Sequence, residues 1–300
     1  MPSSDPQQVN SPDIADRFAS DGYLFPVEVL SRAQATAYRR DLEALESQAR
    51  GSKLGNKNQL NYPHVIFRFA HEIVTHPRIL DAVEAILGPD ILVWGSTFFV
   101  KPPHSESFVS WHQDLRYWGL DSDAEVSAWV ALSPVTEANG CMRFVPGSHK
   151  GELLPHSDTF ADDNFLTRGQ EAAVEVKDED TVLVPLKPGQ ASFHHGKLLH
   201  GSGPNHSDER RVGFAINYIS TSVRQMVAET DFAMLVRGED RHGHFQLVPP
   251  PSADLSEDAM AWHRHILTAQ NEALYDGAQA GSPALRRPPS HGSRSSGFLK

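Results

Sequence analysis

Cysteine is almost absent from this sequence of 300 residues, which contains a single one, Cys141. One cysteine cannot form an internal disulfide, and it excludes zinc and iron–sulfur sites that are built from several thiolates. Because proteins without disulfides are typical of reducing compartments, we expect this protein in such a compartment. We expect Cys141 itself to pack as a small hydrophobic side chain.

Long apolar runs and clustered positive charge are also lacking. No stretch approaches the ~18 uninterrupted apolar residues of a membrane span, and the N-terminus has neither the basic nor the apolar region of a signal peptide. The formal net charge of -11 disfavours nucleic acids and acidic membranes as partners. We therefore predict a soluble, cytoplasmic protein, and the composition leaves its oligomeric state open.

The apolar pattern changes from helical to strand-like near residue 90. Residues 11–88 contain amphipathic segments that predict helices beginning near Ser11, Ser31 and Pro77. Short runs rich in β-branched and aromatic residues then follow one another, separated by Gly, Pro, Asn and Asp. These runs are 91–100, 107–112, 127–133, 142–145, 181–185, 191–195 and 212–220. The pattern predicts a mainly β fold with flanking helices, with a jelly roll as its core.

We expect a single domain over residues 1–280. Its parts are a helical N-terminal segment, a jelly-roll core over about 90–220 and a C-terminal helix over about 256–275. Residues 221–255 show no clear periodicity of apolar residues and are predicted to be irregular. The Gly-, Pro-, Ser- and Arg-rich residues 281–300 are predicted to be a disordered tail.

The pair His112 and Asp114 carries the first chemical signal. On an extended strand, residues i and i+2 project from the same face, so an imidazole and a carboxylate would point together into the space that this face encloses. They would supply two of the three ligands of the 2-His-1-carboxylate triad that holds non-haem Fe(II). The other His-x-acid pairs lie in turn-like sequence, where nothing fixes both side chains on one buried face.

A candidate third ligand is His200, which stands at a strand end and is followed by a turn and then by Arg211 at the start of the next strand. The imidazole can complete the triad, and a guanidinium that enters the same barrel can bind the far carboxylate of an acidic cosubstrate through two hydrogen bonds. Adjacent strand residues face opposite sides, so at most one of His194 and His195 points inward. We expect Arg210 to face outward.

Several segments together resemble the phytanoyl-CoA dioxygenase family of Fe(II)- and 2-oxoglutarate-dependent oxygenases. They are Trp111-His112-Gln113-Asp114, residues 128–132 (AWVAL), residues 139–150 (NGCMRFVPGSHK), and residues 200–205 (HGSGPN) followed by Arg211. The resemblance covers about residues 90–220, and the order and spacing of the segments make it more specific than any one motif.

The resemblance implies a cupin-like jelly roll, also called a double-stranded β-helix, in which His112, Asp114 and His200 bind Fe(II). It also implies that Arg211 holds the cosubstrate 2-oxoglutarate, that Ser202 is a second contact and that Trp129 lines the pocket. We expect His149, which lies in a turn element of the family, to be structural.

The activity that the resemblance implies is that of a dioxygenase, specifically a hydroxylase, which uses dioxygen to oxidise an unactivated C–H bond of a small-molecule metabolite. Halogenating relatives replace the carboxylate ligand with Ala or Gly, whereas Asp114 is present here. Hydroxylation is therefore favoured over halogenation. Desaturation or oxidative demethylation at the same site, and a non-enzymatic cupin-like binding module, stay open as alternatives.

The substrate is poorly defined by the sequence. The residues around the first two ligands could form a substrate wall in which Arg116 pairs with an anion, although the aromatic rings could equally belong to the barrel core. These residues are Trp111, Arg116, Tyr117 and Trp118. A polar loop at 51–64 is long enough to act as a lid. Its candidate residues are Asn58, Gln59, Asn61, Tyr62 and His64.

Overall fold

The computed structural model describes residues 11–49, 60–161, 163–166 and 168–275. Two predictions lie outside these residues: the greater part of the lid loop, including Asn58 and Gln59, and the tail at 281–300. Within the described ranges, no helix combines the length and the apolar character that crossing a bilayer requires.

Seven helices are described, and they flank the sheets. They are α1 (Ser11–Asp21), α2 (Arg32–Ala49), α3 (Pro63–Ile66), α4 (Arg68–Val74), α5 (Pro77–Leu87), α6 (Leu115–Trp118) and α7 (Glu257–Tyr275). The predicted helices correspond to α1, α2, α5 and α7. The short helices α3 and α4 replace the C-terminal part of the predicted lid loop and the segment after it.

Thirteen strands are described. They are β1 (Tyr23–Glu28), β2 (Ile91–Lys101), β3 (Val109–His112), β4 (Glu125–Ala131), β5 (Met142–Phe144), β6 (His156–Asp158), β7 (Gln170–Ala172), β8 (Val182–Val184), β9 (Gln190–His194), β10 (His200–Ser202), β11 (Arg211–Ser220), β12 (Phe232–Arg237) and β13 (Gln246–Leu247). The main sheet has the order β1-β9-β4-β11-β2-β12-β13, and a smaller sheet has the order β3-β10-β5-β8. Their neighbouring strands run antiparallel, except that β13 runs parallel to β12.

Alternation along β4 separates two cores. Val126, Ala128 and Val130 belong to a cluster that includes the buried residues of α1, α2, α4 and α5. Trp129 and Ala131, which face the other way, pack with residues of the smaller sheet instead. The helices therefore cover the outer face of the main sheet, while its inner face meets the smaller sheet. The predicted fold class, mainly β with flanking helices around a jelly-roll core, is confirmed.

The main sheet extends beyond the predicted core of residues 90–220. β1 pairs with β9 at one edge, and β12 pairs with β2 near the other. The prediction that 221–255 is irregular was therefore wrong for β12. Residues 232–236 form a continuous apolar run without alternation, which does not by itself identify a strand, and β12 is stabilised by burial against β2.

Candidate active site

The pairing of β3 with β10 brings the predicted metal ligands together. His112 and His200 are direct partners in this antiparallel pair, and Asp114 follows β3 at the start of α6. The potential ligand atoms of the three residues all lie within 4.8 Å of one another. Asp114 Oδ1 is 3.2 Å from His112 Nε2 and 4.0 Å from His200 Nε2. Two imidazoles and one carboxylate therefore converge on one point.

Both histidines are oriented by the backbone. His112 Nδ1 lies 2.9 Å from the carbonyl oxygen of Ser110, and His200 Nδ1 lies 2.9 Å from that of Leu198. Because a carbonyl oxygen can only accept, each Nδ1 carries the proton and donates it. The lone pair of each Nε2 is left free to bind a metal ion, which is the usual arrangement of histidine ligands.

The charge state of the site also suits a divalent cation. Burial acts to raise the pKa of Asp114, but the neighbouring imidazoles of His200, His112 and His194 outweigh it and hold this pKa well below its usual range. Burial, together with the nearby His112 and His194, lowers the pKa of His200 well below its usual range. The site thus presents an ionised carboxylate and a neutral imidazole, and this donor set fits non-haem Fe(II).

The second oxygen of Asp114 is held by the main sheet. Ser127 Oγ donates to Asp114 Oδ2 at 3.3 Å, and the Asn217 side-chain amide donates to Ser127 Oγ at 2.9 Å. β4 and β11, which carry these two residues, are neighbours in the sheet. The carboxylate is therefore positioned from both sheets of the jelly roll.

Arg211 lies at the start of β11, on the inner face. Its guanidinium is buried, donates to the carbonyl oxygen of Gly140 and, at 3.1 Å, to Ser202 Oγ, and stacks over the Trp129 ring with a separation of 5.2 Å. A Cβ at Gly213 would lie 1.8 Å from that ring, so the position requires glycine for Trp129 to lie where it does.

The guanidinium of Arg211 lacks a counter-charge. No carboxylate among the described residues lies within ion-pair distance of it, and its buried Nε has no hydrogen-bond partner there. Burial lowers the pKa of Arg211 to about 10, which leaves it charged at neutral pH. An unpaired buried cation is costly, and an anionic ligand at this end of the site would remove that cost.

Sequence reasoning missed Lys101, which is the residue paired with Arg211 between β2 and β11. It is fully buried, and its Nζ donates to Ser202 Oγ at 2.7 Å and to the carbonyl oxygen of Ser202 at 3.3 Å. Burial and the charge of Arg211 lower the pKa of Lys101 to about 6. A lysine at the end of a mostly apolar strand is a sign of burial, but the sequence does not show its pairing with Arg211.

His194 is the inward-facing member of the two adjacent histidines. Its Nε2 lies 3.6 Å from Asp114 Oδ2, and its ring centroid is 4.6 Å from that of His200. His195 faces the opposite side of β9, near His149. Nε2 of His149 lies 3.1 Å from the carbonyl oxygen of Ala19, so His149 packs against α1.

Two cavities meet at the triad. The smaller one, of about 190 Å³, is lined by all three ligands and extends to Ser202, Trp129 and Arg211. The larger one, of about 610 Å³, is also lined by His112 and Asp114, and it shares Thr97, Phe99 and Trp118 with the smaller one. Among the described lining residues of the two cavities, a cationic side chain, that of Arg211, occurs in the smaller cavity alone.

The predicted substrate wall is only partly assembled. Tyr117 and Trp118 line the larger cavity, whereas Trp111 and Arg116 line neither cavity. Trp111 lies on the opposite face of β3 from His112 because strand residues alternate, and Arg116 projects from α6 into solvent. The expectation that Arg116 pairs with a substrate anion therefore has no support in this geometry.

Other candidates occupy structural positions. Of the lid residues, Asn61 lines the larger cavity, Tyr62 packs against the main core, and His64 is buried in α3 with Nδ1 at 2.6 Å from Ser96 Oγ. Arg210 faces away from the barrel and pairs with Glu46 on α2. Cys141 is buried in the core between the two sheets.

The sequence profile described as phytanoyl-CoA dioxygenase (PhyH) matches residues 18–213, which is more than half of the chain. The chain belongs to the phytanoyl-CoA dioxygenase family. The matched region begins within α1 and ends in β11, so it contains the triad, Ser202 and Arg211.

Named relatives share about a third of the residues in the aligned segments. A probable alpha-ketoglutarate-dependent hypophosphite dioxygenase of Stutzerimonas stutzeri is 32% identical over 159 residues, which are 52% of this chain and 54% of that protein. The peroxisomal phytanoyl-CoA dioxygenase of Homo sapiens is 34% identical over 161 residues, 52% of this chain and 46% of that protein. The chain thus spans about half the length of these relatives.

Solved structures resemble the chain over a larger share. The apo form of ThoJ, described as a non-heme monooxygenase, is 37% identical, with a TM-score of 0.79, and the match covers 88% of this chain and 98% of that one. CytC3 with Fe(II) and alpha-ketoglutarate has a TM-score of 0.60 over 82% of this chain and 95% of that one. Its 22% identity supports a shared fold.

Proposed function

We propose that this member of the phytanoyl-CoA dioxygenase family is a non-haem Fe(II)- and 2-oxoglutarate-dependent dioxygenase that hydroxylates an unactivated C–H bond of a small-molecule metabolite. One observation carries the proposal. The potential ligand atoms of His112, Asp114 and His200 lie within 4.8 Å of one another, on the wall of a cavity that also contains buried Arg211, which has no carboxylate partner among the described residues. Two imidazoles and a carboxylate are a ligand set for non-haem iron, and a buried guanidinium can bind a carboxylate of a dicarboxylate cosubstrate.

Each group has a distinct task in this proposal. His112, Asp114 and His200 hold Fe(II), and Arg211 binds the distal carboxylate of 2-oxoglutarate, with Ser202 beside it. Bound iron and 2-oxoglutarate, with dioxygen, supply the oxidation of a C–H bond and release succinate and carbon dioxide.

The protein also orients the reactants and limits water at the centre. All three histidines at the site are buried, and Trp129 and Met142 close the smaller cavity with apolar surface. A substrate in the larger cavity would lie beside His112 and Asp114, which also line the smaller cavity that contains Arg211. Exclusion of water strengthens the electrostatic contacts of the site and protects reactive species.

The names of the relatives support the class of reaction rather than a substrate. A hypophosphite dioxygenase and a phytanoyl-CoA dioxygenase differ widely in what their names say they act on, yet both are similar to this chain at about the same identity. The ThoJ structures, described as non-heme monooxygenases, agree with metal-dependent oxygenation.

The direct test is metal-dependent turnover of 2-oxoglutarate. The protein, supplied with Fe(II), dioxygen and 2-oxoglutarate, should release succinate even without its substrate, though slowly. His112→Ala and His200→Ala should each lose Fe(II) binding at micromolar metal and keep the fold, as judged by circular dichroism. His104→Ala is the matched control, because its imidazole is exposed and pairs only with Asp208. Full succinate release by either ligand variant would refute the assignment of the triad.

A further inference from the structure

The wall of the larger cavity has an unusual composition. Aromatic rings and side-chain amides dominate it, and its described residues include one carboxylate besides that of Asp114, namely that of Asp163. The rings are those of Phe98, Phe99, Tyr117, Trp118 and Phe165, and the amides are those of Asn61, Asn164 and Gln170. None of the described residues that line this cavity is a lysine or an arginine.

Two cations near this wall have partners of their own, and Arg116, which precedes Tyr117, is exposed and does not line the cavity. Arg168 pairs with Asp158, with its guanidinium 5.8 Å from the Tyr117 ring. Lys101 is buried against the carbonyl oxygens of Ser202 and Gly203, where it lies behind the cosubstrate end of the site. An anionic substrate would therefore enter the described part of this cavity without a counter-charge, at a substantial desolvation cost.

Asp163, in contrast, is available to a ligand. Its side chain has no hydrogen-bond or ion-pair partner within the described ranges, and it is exposed at the cavity wall, while its backbone oxygen accepts from Phe108 N at 3.0 Å. The backbone contact fixes the position of the residue, which leaves its carboxylate free. Aromatic faces also attract cations, because the ring quadrupole is negative above the plane.

We propose that the larger cavity takes a substrate with an apolar body and a basic nitrogen, which Asp163 and the aromatic rings recognise, rather than an acyl-CoA ester or another anion. This inference rests on the proposed function, because the cavity meets the metal ligands at His112 and Asp114. The overall net charge of -11 acts in the same direction, since it favours the approach of cations over that of anions.

The test uses three probes with one skeleton and different charges: 3-phenylpropylamine, 3-phenylpropan-1-ol and 3-phenylpropanoate. Their dissociation constants are measured by ligand-observed NMR with protein loaded with Co(II) and 2-oxoglutarate, which does not turn over. The amine should bind about tenfold more tightly than the carboxylate, with the alcohol between them. Asp163→Asn should reduce this ratio by at least about threefold, while Glu152→Gln, which removes an exposed carboxylate outside the cavity lining, should preserve it.

Tighter or equal binding of the carboxylate would overturn the inference, as would an unchanged ratio in Asp163→Asn or failure of all three probes to bind at millimolar concentration. The proposed function is tested separately, by succinate release. Protein that releases succinate but prefers the carboxylate probe would refute only the present inference. Protein that prefers the amine but neither binds nor consumes 2-oxoglutarate would refute only the proposed function.

Discussion

His194 and Asp114 lie next to each other at the centre of the jelly roll, with His194 Nε2 3.6 Å from Asp114 Oδ2. His112 is nearest the other carboxylate oxygen, Oδ1. The two oxygens therefore face different partners: Oδ1 faces the metal ligands, and Oδ2 faces His194 and Ser127. This division favours a carboxylate that binds metal through Oδ1 alone.

Replacing His194 tests whether it positions this carboxylate. His194→Phe fills a similar volume without a donor and should weaken Co(II) binding by about tenfold, with a changed visible absorption spectrum, since partners of ligand residues tune affinity by ~10–100-fold. His194→Gln keeps a donor and should retain most of the affinity. Equal losses in the two variants, or none in His194→Phe, would show that His194 does not position Asp114.

The second prediction concerns the cosubstrate. Arg211→Ala should weaken 2-oxoglutarate binding by about 2–5 kcal/mol, because it removes a buried, charge-assisted contact. Arg210→Ala is the matched control, because the guanidinium of Arg210 pairs with Glu46 on the outside of the barrel. Its loss should change the binding free energy of 2-oxoglutarate by less than about 0.5 kcal/mol. Calorimetric titration of 2-oxoglutarate into each metal-loaded variant measures the difference. Similar losses for the two arginines would contradict the assignment.

The long elements of the fold could be predicted from the sequence, since each shows its period over many residues. β2, β11 and α5 are examples: the predicted bounds of the two strands lie within one residue of those in the structure, and α5 begins at the predicted Pro77. The short strands β6 and β7 were missed because they consist largely of polar residues and pair only with each other. Their stability comes from a local hairpin rather than from a recognisable apolar pattern.

The three candidate metal ligands could be predicted from the sequence better than the residues around them. Motif spacing was enough to select His112, Asp114 and His200, which the structure brings together. Lys101 was missed, and the sequence left open which of His194 and His195 points inward. The register of β2 with β11 places Lys101 beside Arg211. Which of the two adjacent histidines faces the interior depends on how β9 is rotated in the sheet. Neither the register nor this rotation is visible in a single sequence.

A third prediction follows from Glu125, whose buried side chain accepts a hydrogen bond from the backbone N–H of Gly196. Burial, despite that hydrogen bond, raises the pKa of Glu125 well above its usual range. Between the unfolded and folded pKa values, the folded chain keeps a proton that the unfolded chain has released, so the contribution of this group to stability falls as pH rises.

Glu125→Gln should therefore raise the melting temperature relative to the wild type, with a gain that increases from pH 5 to about pH 8. Differential scanning fluorimetry across this range measures the gain. Glu171→Gln is the control, since the Glu171 carboxylate is exposed on β7. The melting temperature of this variant should differ from that of the wild type by an amount that does not vary with pH. A gain for Glu125→Gln that is constant with pH would show that Glu125 is ionised in the folded state.

The last prediction concerns the type of reaction and rests on the proposed role of Asp114 as a metal ligand, in the coordination position that halogenating relatives leave open for chloride. Product formed in high chloride should therefore gain oxygen or lose hydrogen but gain no chlorine, as mass spectrometry would show. Asp114→Gly opens the position, yet Ser127 and His194 would still be arranged around a missing carboxylate, so we expect weaker metal binding rather than halogenation. A chlorinated product from the wild-type enzyme would overturn the hydroxylase proposal even with every ligand assigned correctly.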